Sequence, residues 1–234
     1  MAGDGDFATV MRLLEEALAI NLDHGLSGAY LPWAAIQTGR VNSPEEAARY
    51  AAIARHAVHS TPGDLMVQSI GGLMSLLLAH DFDGALDVID RAARLHPQAM
   101  FPFLARGWAR VHSGDSAGAL TDFGVAEARS LADPTDNSIN AGRALACFQE
   151  GDLEAARQWV QRGLARTRAS LEAVRMGIAV AVAQGRLADA RQLANDLLAR
   201  NPGERARRAR LMPFRRPGVA DRLHAAYRAA GIPD

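Results

Sequence analysis

The fold is decided by four stretches that share one pattern: HDFDGALDVIDRAARLHP (80–97), SGDSAGALTDFGVAEARSL (113–131), EGDLEAARQWVQRGLAR (150–166) and QGRLADARQLANDLLARNP (184–202). A turn residue opens each repeat of the pattern, namely His80, Gly114, Gly151 and Gly185. A small residue follows five places later, at Ala85, Ala119, Ala156 and Ala190. Seven places further on stand Ala92, Ala126, Gly163 and Leu197. Every column advances by 34, 37 and 34 residues, which indicates four tandem copies of one unit.

Each copy contains two helical patterns separated by the turn residue. Small side chains at the points where helices cross allow close packing, and glycine reverses the chain without a steric penalty. The three additional residues of the middle step fall in DPTDN (133–137), a turn between helices that can absorb an insertion. The pattern therefore predicts antiparallel helix pairs that follow one another along the chain.

This unit resembles the tetratricopeptide repeat in its length, its paired helices and its small residues at the crossings. The resemblance implies an all-α fold, a right-handed superhelical array of antiparallel helix pairs (an α-solenoid) with a C-terminal capping helix. Pro97 and Pro202 stand at equivalent repeat-ending positions. The sequence departs from the family pattern at Leu76, Arg110, Cys147 and Ala181, where the family often has tyrosine, and at Leu131 and Arg168, where it often has proline.

We predict a single domain over residues 1–234, divided into repeat units. The units are a half repeat (7–22), an irregular repeat (23–65), four clear repeats (66–99, 100–136, 137–170 and 171–204) and a C-terminal capping segment (205–234). The half repeat is interpreted either as a lone capping helix or as part of a longer array cut at this point. The second interpretation is favoured, because the ends of a solenoid need a polar outer face.

The irregular repeat carries recognisable helix-start signals. Within SPEEAARYAAIARHAVHSTP (43–62), Ser43 is the predicted N-cap, Pro44 suits the first turn, and Glu46 completes a capping box. The preceding stretch, LSGAYLPWAAIQT (26–38), supplies the partner helix. Pro32 requires that this helix either kinks or begins late.

Composition excludes several classes of protein. All 26 basic residues are arginine, and they balance 26 acidic residues. The absence of lysine excludes a P-loop and a Schiff-base enzyme. The single cysteine, Cys147, cannot form an intrachain disulfide. Neither a secretory leader nor a stretch near the roughly 20 apolar residues of a membrane span is present, so we expect a cytoplasmic chain without membrane contact.

Residues able to carry chemistry are scattered. Cys147 is predicted at a buried helix crossing beside Ala144, where a small apolar residue is expected. His56 and His59 share one helix face, and no further ligand completes a metal site on that helix. We therefore expect no catalytic residue, no metal and no cofactor.

The first helices of the repeats carry an apolar strip at helical spacing. The predicted strip consists of Val67, Ile70, Met74, Leu77, Phe101, Leu104, Trp108, Val111, Leu145 and Phe148, with Ala141 beside them. In repeat geometry these positions point into the concave groove. Such a groove receives a helix or an extended peptide of a protein partner, with Phe101 and Trp108 as anchors. Three alternatives remain open: the C-terminal helix (218–230) fills the strip, a tightened superhelix fills it from within, or the strip joins two copies in a homo-oligomer.

Charge is distributed unevenly along the chain. Residues 1–100 carry a net charge of −6 and residues 200–234 carry +6. Seven arginines and one acid occupy residues 200–216. This run is interpreted as pairing with acidic residues of the preceding repeats, so nucleic acid is not an expected partner. The charge gradient also allows head-to-tail stacking of molecules or closure of the tail onto the front.

Two longer stretches carry a narrower resemblance. They are FLARGWARVHSGDSAGALTDFGVAEARSLADPTD (103–136), with its Gly–Trp and Asp–Pro steps, and RLMPFRRPGVADRLHAAYRAAGIPD (210–234). Together they resemble the C-terminal repeat region of bacterial class III adenylate/guanylate cyclases and winged-helix transcriptional activators. That resemblance implies a non-catalytic interaction or regulatory module of a bacterial signalling or transcription protein. The alternative is a stand-alone chaperone-like repeat protein that shields a hydrophobic client segment.

Overall fold

The structure, a computed structural model, describes residues 4–130, 137–165 and 170–234. Its helices are α1 (Asp4–Ile20), α2 (Gly25–Gln37), α3 (Pro44–Ser60), α4 (Gly72–Ala79), α5 (Phe82–Leu95), α6 (Phe101–Ser113), α7 (Ser116–Ala128), α8 (Asn137–Glu150), α9 (Leu153–Leu164), α10 (Leu171–Ala183), α11 (Leu187–Arg200), α12 (Arg208–Leu211) and α13 (Val219–Ala229). A π-helical segment, Val67–Gly71, leads directly into α4. These ranges contain helices and turns and no strand. Leu131, Arg168 and all of DPTDN except Asn137 lie outside the described residues.

The predicted turn column reverses the chain as expected. All four residues adopt a left-handed backbone conformation, with φ of 59° at His80, 87° at Gly114, 82° at Gly151 and 75° at Gly185. In the first three turns an aspartate follows at once and caps the next helix through its side chain, namely Asp81, Asp115 and Asp152. A left-handed residue followed by an N-cap thus separates α4 from α5, α6 from α7 and α8 from α9.

The two small-residue columns lie where helices cross. Their members are all buried: Ala85, Ala119, Ala156 and Ala190 in the first column, and Ala92, Ala126, Gly163 and Leu197 in the second. Consecutive helices pack side by side from α1 to α11. The predicted close approach of helix pairs is therefore confirmed.

Phe123 on α7 sets the spacing at the centre of the array. Its ring is fully buried between a glycine of α6 and a glycine of α8. A Cβ atom at Gly107 would lie 2.7 Å from the ring, and one at Gly142 would lie 2.2 Å from it. The ring of Trp108 meets Phe123 edge-on with centroids 6.0 Å apart. Only glycine at both positions leaves room for the aromatic side chain.

The irregular repeat begins with the predicted capping signals. The Ser43 side chain accepts a hydrogen bond from the Glu46 amide, and the Glu46 carboxylate accepts one from the Ser43 amide. The predicted capping box is therefore confirmed. Helix α2 begins at Gly25 and contains Pro32 in its interior, which excludes the late start, one of the two alternatives that the proline allows.

The two ends of the array meet across the concave face. The Gln37 amide at the end of α2 donates to Glu172 on α10 over 2.5 Å, and Asn201 donates to the Gln37 carbonyl over 3.2 Å. Gly39 lies so close to Gly203 that a Cβ there would be 2.8 Å from the Gly203 carbonyl oxygen. The tail therefore closes onto the front of the same molecule, one of the two arrangements that the charge gradient allows.

We expect Gly142→Ala to destabilise the fold. The added methyl group collides with a buried ring that has no space to move, and such overpacking costs about 1–3 kcal/mol. Urea unfolding followed by circular dichroism measures the loss.

Gly124→Ala on α7 is the matched control. A Cβ atom there would have its nearest neighbour, an Arg143 nitrogen, 4.0 Å away, so only the gain in helix propensity of up to about 1 kcal/mol remains. Equal stability changes in the two variants would contradict the packing role of Phe123.

Candidate functional site

A cavity of about 370 Å³ lies inside the concave face. Helices α2, α4, α6, α8 and α10 contribute to its wall, and the tail from Glu204 to Tyr227 closes one side. Its apolar lining is Trp33, Ile36, Ile70, Leu73, Met74, Leu77, Phe101, Leu104, Ala105, Trp108, Leu145, Met176, Ala209, Met212, Phe214 and Leu223. The cavity is thus formed mainly by the first helices of successive repeats.

Seven of the ten predicted strip residues line this cavity. They are Ile70, Met74, Leu77, Phe101, Leu104, Trp108 and Leu145. The indole nitrogen of Trp108 donates to Ser138 over 3.1 Å, which fixes the ring against α8. Phe101 lies at the first residue of α6 with 38% of its surface exposed. The strip therefore combines buried and half-buried side chains with one exposed aromatic ring.

Opposite charges hold the other side of α6. Arg106 binds the Asp122 carboxylate of α7 through two nitrogens, over 2.9 and 2.7 Å, and reaches Asp90 of α5 over 2.9 Å. Arg110 also contacts Asp122, over 3.0 Å. This network turns the aromatic side of α6 towards the cavity.

The other three strip residues are buried between helices and do not line the cavity. Val67 packs with Ala29 and Ala57, and Val111 is fully enclosed in the main core. Phe148 is buried beneath the Arg222 guanidinium, which lies 4.8 Å from the ring centroid. Because α13 and the neighbouring helices cover these positions, they contact the fold itself.

The C-terminal segment forms a wall of the cavity. His112 donates through Nδ1 to the Pro213 carbonyl over 2.6 Å, and its own carbonyl accepts from the Arg215 amide over 2.9 Å. The imidazole stacks on Phe214 with centroids 4.5 Å apart. We call these contacts the tail clamp. The tail covers one side of the predicted strip. The cavity remains open beside the strip residues that the tail does not cover.

A buried ion network occupies the polar end of the cavity. Arg175 binds Glu204 through two nitrogens, over 3.0 and 2.6 Å, while Asn201 donates to the same carboxylate over 2.8 Å. Arg208 reaches it over 3.3 Å. Gln37 and Glu172 line the cavity beside this network. Sequence reasoning missed it, although Glu204 is the one acid among the seven arginines of residues 200–216.

The charges of this network shift its pKa values. Burial opposes ionisation of Glu204, but Arg175 and Arg208 outweigh it and lower the pKa to about 2. Burial, and then repulsion from Arg175, lower the pKa of Arg208 to about 10. Burial raises the pKa of Tyr227 to about 12. At neutral pH, therefore, the two arginines and Glu204 are charged and Tyr227 is neutral.

Other arginines of the tail bind acidic residues, as the sequence interpretation favours. Arg215 contacts Asp83 of α5 over 2.7 Å and lies over the Phe82 ring. Arg216 contacts Glu150 at the end of α8. Arg210 contacts Asp221 over 3.0 Å. Arg215 and Arg216 thus tie the tail to earlier repeats, whereas Arg210 pairs within the tail itself.

The remaining candidate residues lie apart from the cavity. Cys147 is buried, and burial raises the pKa of its thiol. His56 contacts Asp23 over 2.8 Å. Within the described ranges, no group of three or more His, Cys, Asp or Glu side chains is arranged to hold a metal. None of the helices in those ranges is both long and apolar enough to cross a membrane.

Comparison with known proteins identifies the architecture. No protein-family model matches the chain. The chain is similar to Protein FlbA of Caulobacter vibrioides, with 33% identity over 153 residues, which cover 65% of this chain and 24% of FlbA. It therefore spans about a quarter of the length of that curated relative.

Two solved structures share the fold. A thermophilic TPR protein of Thermus thermophilus matches with a TM-score of 0.59 and 14% identity, over 94% of this chain and 98% of the other. The Cut9–Hcn1 hetero-tetramer of APC/C matches with a TM-score of 0.65 and 15% identity, over 96% of this chain and 41% of the other. These likenesses confirm the predicted TPR-like α-solenoid.

We expect the fold to lose stability between pH 7 and pH 5 through His112. Burial lowers the pKa of His112 to about 4, against about 6.5 in the unfolded chain. Between these values the unfolded chain binds more protons, so the free energy of unfolding falls as the pH decreases. The loss reaches about 2 kcal/mol at pH 5 in urea unfolding.

Two variants test the assignment. His112→Phe keeps an aromatic ring on Phe214 and removes the titrating group. We therefore expect the free energy of unfolding of this variant to decrease less between pH 7 and pH 5. His59→Gln changes an exposed histidine and retains the full decrease. A decrease in His112→Phe as steep as that of the unmodified chain would refute the assignment.

Proposed function

We propose that the chain is a non-catalytic protein-interaction module that holds a segment of a protein partner at its concave face. The observation that carries the proposal is the apolar cavity of about 370 Å³, with Phe101 accessible at α6. A helix or an extended peptide would insert a few apolar side chains between Phe101, Leu104 and Trp108. Large aromatic residues beside a pocket are the residue types that dominate binding energy at interfaces.

The geometry of the wall supports this proposal. Trp108 is fixed by Ser138 and Phe123, so binding would cost little additional side-chain entropy. The seven strip residues on the wall come from α4 with its π-helical lead-in, α6 and α8, the first helices of three successive repeats, which suits a partner that crosses several units. Val67, Val111 and Phe148 are left out of the proposed contact surface because the fold itself covers them.

We further propose that the module is a regulatory part of a bacterial signalling or transcription protein. The resemblance of residues 103–136 and 210–234 to repeat regions of cyclases and winged-helix activators supports this role. The similarity to a quarter of FlbA, a longer protein, is consistent with it. The second candidate, a stand-alone chaperone-like protein, draws on the same apolar cavity. Immunoblotting of the native host distinguishes them, because the module belongs to a polypeptide longer than 234 residues.

Site-specific photo-crosslinking tests the proposed groove. We expect a benzophenone amino acid at Phe101, expressed in the native host, to crosslink a distinct polypeptide that mass spectrometry identifies. Phe101→Ala removes the anchor, and we expect the amount of that partner recovered in a pull-down to fall about tenfold, a typical effect for an aromatic anchor.

Leu120 on α7 provides the matched control. Its exposure of 36% is close to the 38% of Phe101, but it does not line the cavity. We expect no partner crosslink from Leu120. Equal crosslinking from the two positions would contradict a groove-specific partner, and a crosslink from Phe101 to a second copy of the chain would replace the proposal with self-association.

A further inference from the structure

We propose that the cavity binds a small amphipathic carboxylate, with its apolar body between the tryptophans and its carboxylate at Arg208. This inference goes beyond the proposed protein-interaction function. It does not depend on that function, because its test needs only the purified chain and a small molecule, without a protein partner. The cavity brings together two features that such a molecule needs: an extended apolar wall and a buried cation at one end.

The apolar wall suits an alkyl or aryl body. Trp33 on α2, Leu73 on α4 and Trp108 on α6 approach the same space from three helices. A volume of about 370 Å³ lies within the range of roughly 300–1,000 Å³ in which small molecules bind. An apolar body placed there leaves water and is surrounded on several sides, which provides the hydrophobic part of the affinity.

Arg208 provides the cationic end. Its side chain is only 8% exposed, yet it lines the cavity. Among the described residues, its ion contact is the 3.3 Å approach to Glu204, whose carboxylate Arg175 already binds through two nitrogens. A guanidinium has five N–H donors in a planar fork that matches a carboxylate. Arg208 therefore retains donors that an incoming anion can use.

The two acids at this end already have donors of their own. Glu204 is held by Arg175 and Asn201, and Glu172 accepts a hydrogen bond from the Gln37 amide over 2.5 Å. Glu172 balances the formal charge of the group without reaching ion-pair distance of Arg208. A cationic ligand would meet two arginines here, whereas an anion would complete the contacts of Arg208. Burial, and then repulsion from Arg175, lower the pKa of Arg208 despite the attraction of Glu204 and Glu172.

Isothermal titration of the purified chain tests this inference with three probes: decanoate and decyltrimethylammonium below their micelle concentrations, and decanol below its solubility limit. We expect decanoate to bind about tenfold more tightly than decanol, because only the carboxylate offers a negative charge to the Arg208 guanidinium. We expect no binding of the ammonium probe. Absence of decanoate binding, equal affinity for decanoate and decanol, or preference for the cation would overturn the proposal.

Matched variants locate the site. Arg208→Gln should weaken decanoate binding about tenfold and leave decanol binding unchanged, while Arg210→Gln, two residues away and exposed, should change neither. Leu73→Trp narrows the cavity and keeps every charge, so it should weaken the binding of both probes. Urea unfolding shows whether each variant is folded. Undiminished decanoate binding by folded Leu73→Trp or Arg208→Gln would place the ligand elsewhere and refute the inference.

Discussion

The enclosure of Phe123 by two glycines is the constraint on which the centre of the molecule depends. Gly107 and Gly142 let α6 and α8 approach the same ring from opposite sides, so α7 is held between its neighbours at a fixed distance. That distance places Trp108 edge-on to Phe123 and within reach of Ser138. The position of Trp108 in the wall of the cavity is therefore a consequence of how Phe123 packs against α6.

Closure of the tail onto the front adds contacts between repeats that are far apart in the sequence. In a solenoid of ordinary form, each repeat contacts only its neighbours. Here Gln37 is joined to Glu172 and Asn201, and the tail clamp joins His112 to Pro213 and its neighbours. These contacts span more than a hundred residues of sequence. They convert a concave surface into a cavity, and they place the Arg175–Glu204–Arg208 network at its end.

Local signals were sufficient to predict the repeats. Turn residues, small residues at crossings and the Ser43 capping box act within one or two helices, so their spacing in sequence reflects their contacts directly. The strip was predicted only in part, because helical spacing cannot distinguish a cavity-lining residue such as Phe101 from one covered by another helix, such as Val111. The Glu204 network was missed because its members become neighbours only when the whole array closes.

Closure also changes the mechanics of the molecule. An open superhelix behaves as a spring that lengthens through small rotations distributed over its repeats. In this chain such an extension would pull Gly39 away from Gly203 and break the hydrogen bonds of Gln37. The array therefore resists extension as long as these contacts between its two ends hold, and it extends more easily once they have separated. A molecule that fills the cavity would stabilise the contacts between the two ends, and a partner that inserts between the ends would break them.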